Sequence, residues 1–237
     1  FTNVPKNYYL TATFDRSDPK EAPLFKRTFA NTIRFGEDIH KRKHVNYNII
    51  YFNSNPSTKD QYSIRTARGV SSYLYADYAF KRDIYHSLEG ALYQIIDGAI
   101  REEGKIAIVV PKIENVNYLK ETLQERYNQF RIGTINSKNT EEENGDVKTN
   151  CDIIVTTIKS IGTGSDIKKL RTLIIAEPHS SKTISNQLIG RLREYSPDKD
   201  TFVYELVDSG FQLLLNMVAR RYRTMKEKCK SLKQYKI

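Results

Sequence analysis

Short apolar runs that recur at regular intervals constrain the fold of this chain more than any other feature. The runs are Lys105–Val110, Asp152–Thr157, Leu173–Ala176 and Thr201–Val207. Continuous apolar runs of this length are typical of strands that are buried on both faces. Segments with helical periodicity, Glu114–Gln129 and Thr183–Arg193, lie between them. Strands that alternate with helices predict an α/β domain with a mostly parallel sheet and helices on both faces.

The flanking segments extend this pattern. Val45–Phe52 has the composition of a strand, and apolar residues at helical spacing predict one helix over Tyr73–Glu103, which Gly104 ends. The acidic segment Thr140–Thr149 is interpreted as a loop, and a long helix is expected from Phe211 onward. Ligands of parallel sheets bind beyond the carboxyl ends of the strands, so we expect the chemistry in the loops there.

Composition narrows the class of partner. The 237 residues carry a formal net charge of +10, which makes a polyanion such as nucleic acid the first partner to consider. A protein with many surface lysines and no such partner is the alternative. The two cysteines and four histidines are scattered, so we expect no metal site and an intracellular setting. No apolar run approaches the roughly 18 residues of a membrane span, so we expect no membrane partner.

The segment Asn186–Arg193 combines residues that suit anion recognition. Gln187, Gly190, Arg191 and Arg193 lie on a predicted helix that follows an apolar run. A guanidinium group offers a planar fork of donors that stays charged, which matches phosphate. Gly190 allows another backbone to approach closely. The alternative is a basic helix face that contacts only solvent.

A loop rich in glycine and hydroxyl side chains, Thr156–Asp166, follows another apolar run. Such a loop can present backbone N–H groups to phosphate, and Asp166 can accept a hydrogen bond from a ribose hydroxyl. The alternative is an ordinary turn. Thr11-Ala12-Thr13 lies within the strand-like run Tyr8–Phe14 and is uninformative when it is taken alone.

Taken in this order, the three segments resemble motifs of superfamily-2 helicases. Thr11-Ala12-Thr13 is similar to motif III, Gly164-Ser165-Asp166 to the end of motif V, and Gln187 with Gly190 and Arg191 to motif VI, Gln-x-x-Gly-Arg-x-x-Arg. The run Ile106–Val110, with Pro111 and Lys112, lies where motif IV belongs. The resemblance covers most of the chain from Tyr8 to about Asp208 and is closest to phage and large-virus members.

One departure from the motif VI pattern concerns Arg193. It lies two positions after Arg191, where the family has three, and Glu194 occupies the usual position. Two and three positions differ by about 100° on a helix. Either Arg191 alone acts as the arginine finger, or the local backbone compensates.

The resemblance implies a RecA-like, P-loop NTPase-type domain with three layers, and a motor driven by ATP. In the family, two RecA-like domains clasp ATP and Mg²⁺, and the first supplies the P-loop and the acidic box. The string Gly98–Lys105 has the wrong spacing for a P-loop and runs from a helix into a strand. We therefore expect the C-terminal motor half of a longer helicase or translocase, with an N-terminal RecA-like domain as partner. The chain alone is expected to be inactive.

The resemblance also implies roles for individual residues. Phosphoryl-group stabilisation is implied for Arg191 and Arg193, with Gln187 oriented near the nucleotide. Contacts with the nucleotide are implied for Gly164, Asp166 and Gly190, contacts with the nucleic-acid backbone for Lys112, Thr157 and Thr163, and domain coupling for Thr11 and Thr13. The nucleic-acid partner is expected to be DNA in preference to RNA.

The tail is strongly basic. Residues 216–237 carry eight basic side chains against the single acid Glu227, beside an apolar stripe at helical spacing. Arg220 and Arg221 are therefore further candidates for contacts with the nucleic-acid backbone. The alternative is a final helix that packs on the sheet and exposes a basic face.

The predicted organisation has three parts. Residues 1–44 are the end of the first RecA-like domain and a linker, residues 45–210 are the second RecA-like domain, and residues 211–237 are a basic C-terminal helix. The alternative function is a RecA-like module that binds nucleic acid or a partner without hydrolysing ATP. A dinucleotide-dependent enzyme is disfavoured, because no Gly-x-Gly-x-x-Gly turn follows the first strand of a βαβ unit.

Overall fold

The computed structural model describes residues 21–28, 43–67, 69–162, 166–192 and 199–237. The chain divides into two compact units, Phe1–Arg42 and Lys43–Ile237. In the first unit the described element is helix α1 (Glu21–Thr28). The predicted strand Tyr8–Phe14, with Thr11 and Thr13, lies outside the described residues.

The second unit alternates strands and helices. Its strands are β1 (Val45–Phe52), β2 (Arg65–Thr66), β3 (Gly69–Val70), β4 (Lys105–Val109), β5 (Ile132–Ile135), β6 (Ile153–Thr156), β7 (Leu170–Ile175), β8 (Thr201–Asp208) and β9 (Ser231–Lys236). Its helices are α2 (Thr58–Ser63), α3 (Ser72–Lys81), α4 (Ile84–Ala99), α5 (Ile113–Arg126), α6 (Glu141–Asn150), α7 (Ile158–Gly162), α8 (Lys182–Arg191) and α9 (Gln212–Lys228).

The described strands form one large parallel sheet. Seven strands lie in the order β5-β6-β4-β7-β8-β1-β9, and every neighbouring pair is parallel. The strands β2 and β3 form a separate small antiparallel pair. The predicted α/β class with a mostly parallel sheet is therefore confirmed. Because all seven strands run the same way, their carboxyl ends meet at a single edge of the sheet.

Crossover handedness distributes the helices over the two faces. Parallel strands are joined by right-handed crossovers, which places α4 and α5 on one face and α6 to α9 on the other. Contacts within each group agree with this placement, since α7 packs on α8 and α8 packs on α9. On the opposite face, the Tyr127 hydroxyl of the α5 C-cap donates to Asp97 of α4 at 2.8 Å. The three-layer arrangement expected for a RecA-like domain is confirmed.

The core lies between these layers. Ala107, Ile108 and Val109 in β4, like Ile153, Ile154 and Val155 in β6, are completely buried. These are the continuous apolar runs of the sequence, and covering both faces of the sheet explains why they do not alternate with polar residues. None of the described helices is long and apolar enough to cross a membrane.

Two predictions about helices are wrong. The single helix expected over Tyr73–Glu103 is divided into α3 and α4, because Asp83 takes the left-handed conformation with φ of 58°. The acidic segment expected to be a loop forms α6. There the Thr140 side chain accepts the backbone N–H of Glu143, and the Glu143 carboxylate accepts the backbone N–H of Thr140. This reciprocal capping stabilises the helix. The helix has no apolar stripe from which it could have been predicted.

The prediction of one helix through the basic tail is wrong from Ser231 onward. The helix α9 ends at Lys228, and β9 then adds a parallel strand to the edge of β1. The backbone N–H groups of Lys230 and Ile237 donate to the carbonyls of Val45 and Tyr51 at 2.8 and 3.0 Å. The edge of β1 thus provides the hydrogen-bond acceptors that hold β9. The lysine-rich sequence of β9 does not by itself predict a strand.

Candidate functional site

The loops that follow β4, β6 and β7 lie side by side at the carboxyl edge of the sheet. In the register, Val109 of β4 pairs with Thr156 of β6 on one side and with Ile175 of β7 on the other. The next residues of each strand therefore enter neighbouring loops. One loop carries Lys112 and another carries Thr157, so the structure brings these two predicted backbone contacts together.

Lys112 immediately precedes α5 and points toward α3. Its ammonium group forms an ion pair with the Asp77 carboxylate of α3, and its side chain is 20% exposed. The Asp77 side chain is 60% exposed. Because water reaches this ion pair, it contributes little free energy. An anion that binds the Lys112 ammonium group more tightly can therefore displace the Asp77 carboxylate from it.

Thr157 caps the short helix α7. Its hydroxyl donates to the Ser160 hydroxyl at 3.1 Å and accepts the Ser160 backbone N–H at 3.3 Å. The hydroxyl therefore has a local structural partner in this conformation. The next predicted contact, Thr163, and the predicted nucleotide contact Gly164 lie outside the described residues.

Glu177, which the sequence interpretation left without a role, enters the same edge directly after Ala176. The Ser72 hydroxyl of α3 donates to its Oε1 at 3.2 Å, while its buried Oε2 has no hydrogen-bond partner. Burial raises the pKa of Glu177 to about 7, although the Ser72 hydroxyl, the Ile158 N–H and Lys159 oppose that rise. An acidic residue directly after a buried apolar strand is the sequence signal that could have identified it.

The raised pKa of Glu177 predicts a pH-dependent stability. The unfolded chain loses this proton near 4.5 and the folded chain near 7, so the folded state binds more protons between these values. Stability from this group therefore falls as pH rises from about 4.5 to about 7. Relative to wild type, Glu177→Gln should gain on the order of 2 kcal/mol in free energy of unfolding between pH 5 and pH 8.

Urea denaturation of both proteins at the two pH values measures this difference. His179, whose pKa burial and Arg221 lower to about 4, gives the opposite slope between about 4 and 6.5. That slope is common to both proteins and cancels in the comparison. A difference in stability that stays constant with pH would contradict the assignment.

Helix α8 holds the predicted nucleotide-contacting residues. The Ser181 side chain caps its first turn by accepting the Ile184 N–H at 3.3 Å. Gln187 and Gly190 are exposed along the helix, and the half-buried Arg191 is its last residue. Arg193 lies outside the described residues. Whether it acts beside Arg191 despite the shortened spacing therefore stays a prediction.

The end of α8 lies far along the sheet from Lys112. The carbonyl of Leu192, which follows Arg191, is 2.6 Å from Nε2 of His44, the residue before β1. Arg191 is thus near the amino end of β1, whereas Lys112 is beyond the carboxyl end of β4. Asp166 is exposed, four residues before β7 begins, and so also lies toward the amino ends of the strands. The structure therefore separates Arg191 and Asp166, two predicted nucleotide contacts, from Lys112 and Thr157, two predicted backbone contacts.

In the tail, the structure separates Arg220 from Arg221. Arg220 is exposed on α9, as a contact with a phosphate backbone requires. Arg221 is only 1% exposed, and its guanidinium donates to Glu205 of β8 at 2.5 Å. This burial corrects the sequence prediction, because a side chain enclosed in the core and paired there cannot reach a phosphodiester backbone.

The Arg221–Glu205 pair is the centre of a buried polar network. Arg221 also donates to the Ser185 hydroxyl of α8 at 3.2 Å and lies 3.0 Å from Nε2 of His179, while the Tyr47 hydroxyl of β1 donates to Glu205 at 2.7 Å. Burial by itself would raise the pKa of Glu205, but Arg221, His179 and the Tyr47 hydroxyl lower it below its ordinary value. The network joins α9, β8 and β1 to the first turn of α8.

The described residues offer no evident ligand set for a metal ion. Among the residues whose side chains the structure describes, no group of three or more His, Cys, Asp or Glu could hold one. Arg191, half-buried at a helix end with exposed Gln187 and Gly190 nearby in sequence, fits the polyphosphate part of a nucleotide better than a metal.

Comparison with known proteins agrees with this geometry. Residues 88–194, which span β4 to α8, match the family model of the helicase conserved C-terminal domain. Over this part, the chain is similar in sequence to helicase C-terminal domains. Transcript termination protein A18 of fowlpox virus (strain NVSL) is 23% identical over 218 residues, which cover 89% of this chain and 45% of that protein.

Solved structures share the fold of this chain. T4 UvsW superposes with a TM-score of 0.61 at 13% identity, over 82% of this chain and 42% of that one. The C-terminal domain of the DEAD-box protein Dbp5 gives a TM-score of 0.53 at 10% identity, over 82% of this chain and 91% of that one. The chain spans less than half the length of the fowlpox protein and of UvsW.

Proposed function

We propose that this chain is the C-terminal motor half of an ATP-dependent nucleic-acid helicase or translocase. The observation that carries the proposal is helix α8, which presents Gln187, Gly190 and Arg191 in motif VI order within a helicase C-terminal domain. The partner half is an N-terminal RecA-like domain that holds most of the ATP and Mg²⁺. The bound nucleotide supplies the phosphoryl group whose transfer drives the motor.

Arg191 acts on that phosphoryl group. A guanidinium group placed beside it stabilises the charge that develops during transfer, and an arginine finger of this kind accounts for a large part of the rate. Gln187 and Gly190 lie one helical turn and one residue before Arg191, so they approach the nucleotide from the same helix. Asp166, exposed on the amino side of the sheet, contacts the ribose.

The separation of the two groups of residues supports a motor more than a static binding module. Lys112 and Thr157 lie at the carboxyl edge of the sheet, where they contact the phosphate backbone of the nucleic-acid track. The nucleotide contacts lie at the far end of α8. A rigid domain between the two can convert closure on ATP into displacement along the track.

The isolated chain should hydrolyse ATP only at background rate, since the described residues hold no P-loop and the nucleotide contacts of α8 cannot grip a triphosphate alone. Steady-state phosphate release by purified residues 1–237 measures this. Turnover well above background that Arg191→Ala abolishes would contradict the half-motor proposal, because such activity belongs to this chain and not to a contaminant. Binding of the chain to DNA and to RNA strands of equal length tests which nucleic acid is the partner. Tighter binding of the DNA strand is expected.

A further inference from the structure

Helix α3 lies across the carboxyl edge of the sheet. Its side chains contact residues at the ends of four strands. The contacts are Tyr78 with Ser54 after β1, Tyr75 with Asp208 at the end of β8, Ser72 with Glu177 after β7, and Asp77 with Lys112 after β4. A ligand that reaches Lys112 at this edge therefore meets the outer surface of α3.

The outer surface of α3 and the preceding helix α2 are unusually rich in exposed aromatic side chains. Tyr62 is 62% exposed and Tyr73 is 47% exposed, whereas Tyr75 and Tyr78 are buried on the inner side. Four of the seven large hydrophobic side chains exposed in the described part of the chain, Tyr62, Tyr73, Leu74 and Phe80, fall within this short stretch. Exposed apolar groups concentrated in this way indicate a contact surface.

The two tyrosines belong to one small substructure. The strands β2 and β3 pair between them, and the Ser71 N–H donates to the Ile64 carbonyl at 2.9 Å. This bond fixes the end of α2, which carries Tyr62, against the start of α3, which carries Tyr73. The Arg65 guanidinium lies over the Tyr62 ring, 4.6 Å from its centroid. The position of the ring is thus held by a cation on one face.

Charge on this substructure favours a polyanion. Basic side chains, all exposed, outnumber acidic ones in the described residues 58–82 by four to two; they are Lys59, Arg65, Lys81 and Arg82, against Asp60 and Asp77. Asp60 is paired with Arg82 and Asp77 with Lys112. Lys59 and Arg65 lie on the side of the substructure that carries Tyr62. Aromatic rings beside cations are the combination that binds single strands, with bases on the rings and phosphates on the cations.

We infer that residues 58–67 and 69–82 form a stacking surface for unpaired bases of a single-stranded nucleic acid, with Tyr62 and Tyr73 as its platforms. The inference rests on the proposed function and names where the track lies on this domain. This segment precedes residues 88–194, so the helicase family match does not include it. A single strand is the occupant because the base faces of a duplex are already stacked. Phosphate then replaces Asp77 on Lys112.

Fluorescence anisotropy without ATP tests the surface in the full-length protein. The probes are labelled single strands of oligothymidylate and oligouridylate and a blunt duplex of equal length. Tyr62→Ala and Tyr73→Ala should each weaken single-strand binding about tenfold, because stacking on one aromatic ring is lost. Tyr62→Phe and Tyr73→Phe keep the ring and should bind like wild type. Tyr235→Ala, which removes an exposed tyrosine of β9, is the matched control.

The salt dependence separates stacking from charge. The tyrosine variants should keep the wild-type slope of log affinity against log salt, while Lys59→Ala with Arg65→Ala should make it shallower. The inference is overturned if both alanine variants bind single strands like wild type, if duplex binding weakens equally, or if the wild-type protein binds no single strand. A protein that binds single strands through these tyrosines but hydrolyses no ATP would overturn the proposed function alone.

Discussion

Replacing Arg191 with alanine in the full-length protein is expected to lower nucleic-acid-stimulated ATP hydrolysis by about a thousandfold or more. The arginine finger acts on charge that develops during phosphoryl transfer, so its loss lowers kcat and leaves the KM for ATP nearly unchanged. Arg191→Lys should restore little activity, because an ammonium group lacks the planar fork of donors. Steady-state phosphate release at saturating nucleic acid measures the effect.

Lys182→Ala is the matched control for this prediction. Lys182 is an exposed basic residue at the first position of the same helix, at the opposite end from Arg191. Its removal changes the charge of α8 equally but should leave kcat within about twofold of wild type, since surface substitutions of this kind have small effects. Stimulated hydrolysis by Arg191→Ala at the level of Lys182→Ala would show that Arg191 is not the finger.

Replacing Glu205 with alanine is expected to destabilise the domain by about 3–5 kcal/mol. The substitution leaves the Arg221 guanidinium enclosed in the core without the carboxylate that it contacts at 2.5 Å. It also removes the acceptor of the buried Tyr47 hydroxyl. For a domain of this size, the midpoint of thermal unfolding should fall by on the order of 10 °C. Thermal and urea unfolding of the full chain measure the loss.

Two comparisons make the Glu205 prediction specific. Arg223→Ala, on the same helix as Arg221, breaks a pair with Glu227 at 2.8 Å whose arginine is 91% exposed, and should leave the free energy of unfolding nearly unchanged. The double variant Glu205→Leu with Arg221→Met removes both buried charges together. It should be more stable than Glu205→Ala, because no charge remains unpaired. Equal losses in Glu205→Ala and Arg223→Ala would contradict the role given to the network.

The parallel sheet and most of its elements could be predicted from the sequence. The stretches Ile106–Val109 of β4, Ile153–Val155 of β6 and Leu173–Ile175 of β7 are apolar throughout, because helices cover both faces of the sheet there. Elements held by other forces were missed. The helix α6 depends on capping by Thr140, and β9 depends on pairing with the edge of β1. Neither interaction produces hydrophobic periodicity in the sequence.

The position of Arg221 could have been recognised from spacing. Leu214, Val218 and Met225 are buried on α9, and Arg221 lies three residues after Val218 and four before Met225, on the same helical face. A charged residue in that stripe must have a buried partner. The identity of the partner, Glu205, could not be predicted. The neighbours of Glu205 in β8 give no sign of a buried charge, and its contact with Arg221 joins two different elements, β8 and α9.

The arrangement of the candidate site was only partly accessible from the sequence. The order of the strands brings the loops of Lys112 and Thr157 together, which follows from the rule for parallel sheets. The direction of α8 carries Arg191 away from that edge to the neighbourhood of His44. The end of the sheet at which Arg191 lies could not be predicted before the topology was known. The coverage of the edge by α3 depends on side-chain contacts that no motif encodes.

The rate of ATP hydrolysis by the full-length protein, measured with and without single-stranded nucleic acid, tests the central claim most directly. A motor that couples the nucleotide contacts of α8 to the track at the carboxyl edge should hydrolyse ATP slowly alone and several-fold faster with saturating nucleic acid. Binding of nucleic acid with no hydrolysis in either condition, or hydrolysis at a rate that nucleic acid does not change, would contradict it.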